Sequence, residues 1–255
     1  MTNSDNGRPV ALVTGASRKI GIGAAIALEL ARDGWDVATT YWRPYDATMP
    51  WGSQSSEAEQ IPERIRALGA RTVAIEADLA DVETPARLFG QVEEALGPVT
   101  AMVLSHCQSV ESTILTTTLE SWERHFSINA RATWLMVREF GSRYRGGHGN
   151  GRIMAITSDH TAGNLPYGAS KGAMERVVLA ATHEFKELGI TANIISPGAT
   201  DTGWMDDDLT EMIIEMTPLG RVGLPQDCAN LVRFLCSKEG GWINGQVLFS
   251  NGGQQ

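Results

Sequence analysis

Tyr167 and Lys171 are the two residues whose types and spacing most clearly predict chemistry. Residues four apart lie on one face of a helix, so this spacing brings an ammonium group near a phenol. A nearby positive charge favours the phenolate and lowers the pKa of a tyrosine. The pair therefore predicts a group that donates or accepts a proton. Such a pair also arises by chance, so the surrounding sequence has to decide the interpretation.

The elements that must position this pair alternate regularly along the chain. Seven short apolar segments are predicted strands: Val10–Val13, Asp36–Tyr41, Thr72–Ile75, Thr100–Leu104, Arg152–Thr157, Thr191–Ile195 and Val247–Phe249. Six segments between them are predicted helices: Gly23–Arg32, Ser56–Leu68, Glu83–Leu96, Leu119–Tyr144, Tyr167–Leu188 and Gln226–Ser237. This alternation predicts an α/β fold, a single Rossmann-type doubly wound sheet of about seven parallel strands flanked by helices.

The domain organisation follows from the same pattern. Residues 9–255 form one predicted catalytic domain, and residues 1–8 form a predicted flexible tail, because they are polar and have nothing to anchor them. Two stretches, Trp42–Ser55 and Thr200–Gly223, interrupt the alternation and are predicted to be long functional loops.

A glycine-rich segment, Gly15–Gly23, joins the first predicted strand to the first predicted helix. Glycines there let a pyrophosphate approach the backbone N–H groups at the start of the helix. The residues predicted to bind a dinucleotide in this turn are Gly15, Ser17, Arg18, Lys19, Gly21 and Ile22. A glycine-rich turn without a ligand stays open as an alternative, because single glycine motifs often mislead.

Several segments, taken in order, resemble the short-chain dehydrogenase/reductase (SDR) family. They are Thr14-Gly15, Asn129, Ser158, the Tyr167 and Lys171 pair, and Pro197–Thr202. The resemblance runs from about Pro9 to Gly253 and is closest to members similar to 3-oxoacyl-acyl-carrier-protein reductase. It implies an NAD(P)-dependent oxidoreductase that interconverts a ketone and a secondary alcohol by hydride transfer, with a small-molecule substrate.

The resemblance implies that four residues are catalytic: Asn129, Ser158, Tyr167 and Lys171. Tyr167 would transfer the proton, Ser158 would polarise the substrate oxygen, and Lys171 would hold the nicotinamide ribose and connect through water to the Asn129 region. The structural alternatives are a turn-capping serine, a surface amide, and a tyrosine and lysine on an exposed helical face.

The resemblance also extends the cofactor site. The further predicted cofactor residues are Arg43, Asp78, Leu79, Ser105, Tyr167, Lys171, Pro197, Gly198, Thr200 and Thr202. Arg43 stands where an NAD-preferring enzyme has an acidic residue, so together with Arg18 and Lys19 it favours NADP(H), with NAD(H) possible. A solvated loop cation is the alternative for Arg43, and a helix N-cap is the alternative for Asp78.

Three departures from the family pattern keep another function open. Five residues separate Gly15 from Gly21, two more than usual, so the turn should bulge. Leu104–Cys107 replaces the usual Asn-Asn-Ala-Gly with Leu-Ser-His-Cys, and the loop between Ser158 and Tyr167 is short. A non-catalytic NAD(P)-binding sensor or scaffold is therefore the alternative function. An epimerase or dehydratase of the extended relatives would need a longer C-terminal substrate domain.

Composition limits the partners. The net charge is −9 and no Lys/Arg run occurs, which argues against nucleic acid. No apolar run reaches the length of a membrane span, and the three cysteines lack disulfide or zinc spacing, so we expect a cytoplasmic protein without a metal site. The family resemblance implies a lid over the substrate at residues 200–223 and a homotetramer or homodimer built on the two long predicted helices.

Overall fold

A computed structural model describes residues 7–49, 52, 57–158 and 163–254. Its strands form one seven-stranded parallel sheet in the order β3-β2-β1-β4-β5-β6-β7. The strands are β1 Val10–Thr14, β2 Asp36–Tyr41, β3 Thr72–Glu76, β4 Val99–Leu104, β5 Arg152–Ile156, β6 Thr191–Ser196 and β7 Val247–Phe249. The predicted doubly wound sheet is confirmed.

Helices cover both faces of the sheet. The α-helices are α1 Ile22–Arg32, α2 Arg43–Ala47, α3 Glu57–Ala67, α4 Thr84–Ala95, α5 Leu119–His125, α6 Ala132–Arg143, α7 Leu165–Glu184, α8 Asp207–Met216 and α9 Pro225–Cys236. Three further helical turns are the π-helical Phe126–Arg131 and the 3₁₀-helical Lys186–Leu188 and Glu239–Trp242.

The apolar core has two layers, one on each side of the sheet. Helices α4, α6 and α7 pack on one face through residues such as Phe89, Phe140 and Val178. Helices α1, α3 and α9 pack on the other face through residues such as Ile26 and Val232. All five residues of β1 are buried, as expected for a central strand of a parallel sheet that is covered on both faces.

Three sequence predictions about elements need correction. The predicted continuous helix over 119–144 is interrupted by the π-helical turn, which divides it into α5 and α6. The stretch after β2 contains α2, in which Pro44 suits the first turn because a proline lacks the N–H that would be unpaired there. The stretch over 200–223 contains α8, which starts where the Asp206 side chain accepts a hydrogen bond from Leu209 N.

Arg8 lies near the start of the described residues and makes long-range contacts. We predicted that residue 8 belongs to the flexible tail, but the Arg8 guanidinium donates hydrogen bonds to the carbonyl oxygens of Ala31, Gly34 and Gly69. Residues 1–6 of the predicted tail lie outside the described residues. Within residues 7–49, 57–158 and 163–254, no helix combines the length and apolar character needed to cross a bilayer.

Candidate active site

The candidate site lies at the carboxyl ends of β1 and β4. These strands are neighbours in the sheet although β2 and β3 lie between them in the sequence, so the connections that follow the two strands leave in opposite directions. Ligands of doubly wound sheets bind in the crevice that such a reversal creates. The glycine turn after β1 and the Ser105–Cys107 segment after β4 border this crevice. The sequence and the topology therefore indicate the same location.

The glycine turn has the backbone geometry that a dinucleotide site requires. Gly15 has a φ of +72°, and a Cβ added there would be 2.6 Å from Ser105 O, so a larger residue cannot replace it without displacing backbone. Gly21 N donates to Arg18 O at 3.0 Å, which closes a turn around the two inserted residues and gives the expected bulge. Helix α1 then begins at Ile22 without a side-chain cap, which leaves backbone N–H groups for an anion. The turn fits a pyrophosphate.

Acidic groups lie near Arg18 and near the backbone of Lys19 in the turn. The Arg18 guanidinium donates to Thr202 O at 2.6 Å, so it connects the glycine turn to the segment after β6. Burial lowers the pKa of Arg18, and the Asp46 and Glu57 carboxylates oppose that effect. Lys19 N donates to Glu57 Oε2 at 3.1 Å. Two predicted cofactor residues therefore already have carboxylates near them.

Arg43 forms an ion pair with Glu76, and the two side chains make two hydrogen bonds. Its Nε and Nη2 atoms lie 3.1 and 2.6 Å from the two carboxylate oxygens of Glu76. The Arg43 guanidinium also lies 5.3 Å from the ring centroid of Tyr41. The hydrogen bonds from Arg43 lower the pKa of Glu76. Arg43 is thus paired at the carboxyl ends of β2 and β3, and it belongs to α2 and not to a loop, although its side chain stays partly open to solvent.

Helix α7 places Tyr167 and Lys171 on one face, as the spacing predicts. The Lys171 Nζ atom lies 5.7 Å from the centroid of the Tyr167 ring. Only 3% of Lys171 is exposed, and its ammonium donates to Ile156 O at 2.7 Å. Burial lowers the pKa of Lys171, while Cys107 and Glu175 act in the opposite direction. Lys171 is therefore not part of an exposed helical face.

Asn129 lies on the π-helical turn Phe126–Arg131 and is fully buried. Its Oδ1 accepts from Gln108 N at 2.7 Å, and its Nδ2 donates to Gln108 O at 2.9 Å and to Ser170 Oγ at 2.8 Å. Ser170 Oγ in turn donates to Tyr167 O at 2.8 Å. Asn129 thus joins the loop after β4 to the helix that carries Tyr167, which excludes a surface amide.

Ser158 lies two residues beyond the carboxyl end of β5, at the same edge of the sheet as Tyr167 and Lys171. The preceding residue, Thr157, is buried and its hydroxyl donates to the Glu175 carboxylate. Thr157 therefore has a structural partner, and the family resemblance, not this contact, is what predicts that Ser158 acts on a substrate. His160, which follows Ser158 by two residues in the short loop and could contact a substrate, lies outside the described residues.

The role of His106 was missed by the sequence analysis. Its Nδ1 is 2.7 Å from Thr14 Oγ1 and its Nε2 is 3.1 Å from Ile128 O. Burial and the nearby Lys171 charge lower the pKa of His106 to about 3. His106 is therefore neutral, with its proton on Nε2, because a carbonyl oxygen accepts only. The histidine at the position where the family pattern has alanine was the available signal.

Two other residues near the crevice were also not predicted. Tyr45 of α2 reaches the loop after β4, where its hydroxyl is 3.4 Å from Ser109 O. Burial, Cys107 and Tyr167 raise the pKa of Tyr45, so the two tyrosines influence each other electrostatically. His125 is buried, accepts from Val110 N at 3.1 Å, and donates to a carbonyl one helical turn earlier. Neither residue carries a motif that sequence reasoning recognises.

The remaining predicted cofactor residues lie at the carboxyl edge of the sheet. Asp78 does not cap a helix: its Oδ1 accepts from Ala80 N at 2.9 Å, and α4 begins after Glu83. Leu79 packs in the core, and Gly198 has a φ of +64°. The others are Ser105, whose N donates to Thr14 Oγ1, buried Pro197, and Thr200, which pairs with Gly223.

An open groove of about 380 Å³ lies beside the start of α7. It is lined by Ile114, Thr117, Thr118, Leu119, Trp122 and Leu165. The side chains of Ile114 and Leu119 are largely exposed. Among the described residues, no group of three or more His, Cys, Asp and Glu side chains has the arrangement of a metal site.

Comparisons with known proteins give a consistent result. The family model described as Enoyl-(Acyl carrier protein) reductase matches residues 15–255. The chain is 32% identical to an uncharacterized oxidoreductase, YjdA, of Bacillus subtilis (strain 168), over 96% of each protein. It is 36% identical to an NADPH-dependent aldehyde reductase-like chloroplastic protein of Arabidopsis thaliana, over 96% of this chain and 93% of that protein.

The similarity to a solved structure extends to the three-dimensional fold. A short-chain dehydrogenase from Burkholderia cenocepacia J2315 in complex with NADP superimposes with a TM-score of 0.84 and 33% sequence identity. The alignment covers 97% of each chain. A nicotinamide dinucleotide is therefore bound by a relative with this same fold.

Proposed function

The chain belongs to the short-chain dehydrogenase/reductase family of oxidoreductases, and we propose that it is an NADP(H)-preferring enzyme that interconverts a ketone and a secondary alcohol. A 3-oxoacyl thioester-like ketone is the substrate type that the sequence pattern favours. One observation carries the proposal: a buried Lys171 ammonium is held next to the Tyr167 phenol, and Asn129 is bonded to the same helix. A protein that only binds a dinucleotide has no need of this arrangement.

The proposed mechanism assigns one task to each of these residues. A bound nicotinamide supplies the hydride that adds to the carbonyl carbon. Ser158 donates a hydrogen bond to the carbonyl oxygen, and Tyr167 transfers its proton to that oxygen as the C–O double bond becomes single. Lys171 stabilises the resulting phenolate because its positive charge lies on the same helical face. In alcohol oxidation the proton moves in the opposite direction.

The preference for NADP(H) is supported by the charges around the crevice. Arg43 lies at the carboxyl ends of β2 and β3, where a dinucleotide's adenosine ribose is bound in doubly wound folds. Its pairing with Glu76 holds the guanidinium in a defined position. A 2′-phosphate would have to share Arg43 with this carboxylate, so we propose a preference that is moderate rather than absolute, with NAD(H) also accepted.

Assembly is the second part of the proposal. Trp134 on α6 and the lining of the groove next to α5 expose apolar surface, and larger apolar patches mark protein interfaces. This supports a homodimer or homotetramer built on α5, α6 and α7. We also propose a cytoplasmic location, which rests on the sequence composition alone.

The first experiment is a titration with NADPH and NADH that follows energy transfer from the seven tryptophans to the reduced nicotinamide. Tighter binding of NADPH, followed by NADPH oxidation in a panel of ketones, 3-oxoacyl thioesters and aldehydes, is the expected result. Binding of NADPH without turnover of any carbonyl would favour the sensor or scaffold. Absence of binding by either dinucleotide would contradict the cofactor site itself.

A further inference from the structure

We propose that His106 is a positioning residue for the reaction: it holds the π-helical turn Phe126–Arg131 in the conformation that directs Asn129 toward the helix of Tyr167. The proposal rests on the proposed function, because it concerns residues assigned to carbonyl reduction. It assigns His106 a task that the sequence pattern does not reveal.

The two hydrogen bonds of His106 connect separate parts of the site. Ile128 O accepts from Nε2–H, and the Thr14 hydroxyl donates to Nδ1. The Thr14 hydroxyl oxygen also accepts from Ser105 N at 3.1 Å. Only 8% of His106 is exposed, so water does not readily replace either bond. The imidazole therefore links the end of β1 to the helix that carries Asn129.

The π-helical turn explains why Ile128 needs a donor from outside the helix. Within the turn the backbone N–H of Ala132 bonds to Ser127 O, five residues earlier, instead of four. Where such a turn returns to the α-helical pattern, one carbonyl oxygen loses its regular partner. His106 donates to Ile128 O at this point. Without that bond, a regular helix becomes more favourable, and the residues on either side would rotate by ~100° relative to each other.

The direction of the Asn129 side chain matters because it extends the hydrogen-bond chain from the π-helical turn to α7. Asn129 Nδ2 donates to Ser170 Oγ, and Ser170 Oγ donates to the backbone oxygen of Tyr167. A buried chain of hydrogen bonds thus runs from Thr14 through His106 to the π-helical turn, and from Asn129 to α7. Since the side chains of Thr14, His106, Asn129 and Ser170 in this chain are all buried, the loss of one of their bonds leaves a partner unpaired.

Two substitutions of His106 test its two hydrogen bonds one at a time. The amide nitrogen of glutamine reaches about as far as Nε2 of histidine, whereas the shorter asparagine amide reaches about as far as Nδ1. His106→Gln therefore keeps the donor to Ile128, and His106→Asn keeps only the contact with Thr14. We expect kcat for carbonyl reduction to fall by about tenfold in His106→Asn and by less than about threefold in His106→Gln. The NADPH dissociation constant should change by less than about twofold in both.

His125→Asn is the matched control. His125 is also a buried neutral histidine, but it bonds to Ser121 O and Val110 N and does not contact the chain from Thr14 to Tyr167. Its asparagine variant keeps the donor toward Ser121. We expect this variant to lower the midpoint of urea unfolding while kcat stays within about twofold of the wild type.

Amide hydrogen exchange over residues 126–133 tests the positioning independently of activity. His106→Asn should increase exchange there, and His106→Gln should behave like the wild type. If the wild type reduces no carbonyl but exchange changes as expected, the proposed function fails and the positioning role stands. If the two variants are alike in both kcat and exchange, His106 only fills space, and the proposal is overturned.

Discussion

The interior around Tyr167 and the rim of the cofactor crevice differ in how their polar groups are paired: the interior groups are buried, and the rim groups are partly exposed to solvent. In the interior, Lys171 and Asn129 are buried and bonded to backbone carbonyls or to other buried side chains. At the rim, Arg43 and Glu76 form an ion pair that is partly open to solvent. Loss of a buried partner leaves an unpaired polar group, whereas water and salt replace a lost surface partner. Substitutions should therefore have large effects inside and small, selective effects at the rim.

The largest effect is expected for Tyr167→Phe, which removes the proposed proton donor. Turnover of a carbonyl substrate should fall by about 10²–10⁴-fold, the range that general acid catalysis contributes. Binding of NADPH, measured by tryptophan energy transfer, should stay within about twofold because the ring and its packing remain. Unchanged turnover would contradict the mechanism, and loss of NADPH binding as well would indicate a disturbed site.

The next effect concerns stability in the interior. Asn129→Leu removes the partner of the Gln108 backbone N–H and C=O and of the Ser170 hydroxyl. We expect the free energy of unfolding in urea to fall by about 2–4 kcal/mol. Asn230→Leu is the matched control, because Asn230 is exposed on α9, and it should change stability by less than about 0.5 kcal/mol. Equal effects would mean that burial of Asn129 is energetically unimportant.

A pH effect of intermediate size follows from His106. Its pKa is about 3 in the folded protein and 6.5 ordinarily, so the unfolded chain binds more protons between these values. The stabilisation is complete above pH 6.5 and is lost as pH falls toward 3. Between pH 6.5 and pH 5 the loss should be about 2 kcal/mol.

Urea unfolding at pH 7 and pH 5 measures this difference. His106→Gln, which has no titrating ring, should show a smaller loss of stability over the same interval than the wild type. An equal pH dependence in the two proteins would mean that His106 does not remain neutral in the folded state.

The smallest effect is expected at the rim. Arg43→Ala should lower the ratio of NADPH to NADH affinity by about tenfold, because the charge proposed to contact the 2′-phosphate is lost. Glu76→Gln should raise NADPH affinity by about threefold, since a competing carboxylate is removed, and added salt should reduce this gain. A parallel loss of NADPH and NADH binding in Arg43→Ala would mean that Arg43 supports the fold and does not recognise the phosphate.

Sequence patterns predicted much of the fold because each pattern reflects local geometry. The bounds of β2 and β7 were predicted to the residue, and each of the other strands was predicted to within one residue at one end. The long helix over 119–144 was wrong because periodicity cannot detect a π-helical turn. That turn forms where partners distant in sequence, His106 and Gln108, bond to it.

Within the site, the structure brings together the residues that were predicted from their spacing along one helix. For the residues that were predicted from loops, the sequence did not reveal their partners. Tyr167 and Lys171 lie on one face of α7 because four residues span about one helical turn. The acidic surroundings of Arg18 and the pairing of Arg43 with Glu76 were not predicted. Such pairs join different strands or loops, and a single sequence contains no record of their distance.

The sequence by itself determined the parallel α/β sheet, the position of the glycine turn and the pairing of a tyrosine with a lysine. Each of these depends on residues that are close in the chain, where helical and strand periodicity fix the geometry. Only the tertiary structure decided that Lys171 is buried, that His106 is neutral, and that Asn129 is joined to α7. Burial and hydrogen-bond partners depend on segments separated by many residues, and these meet only when the sheet and its helices pack together.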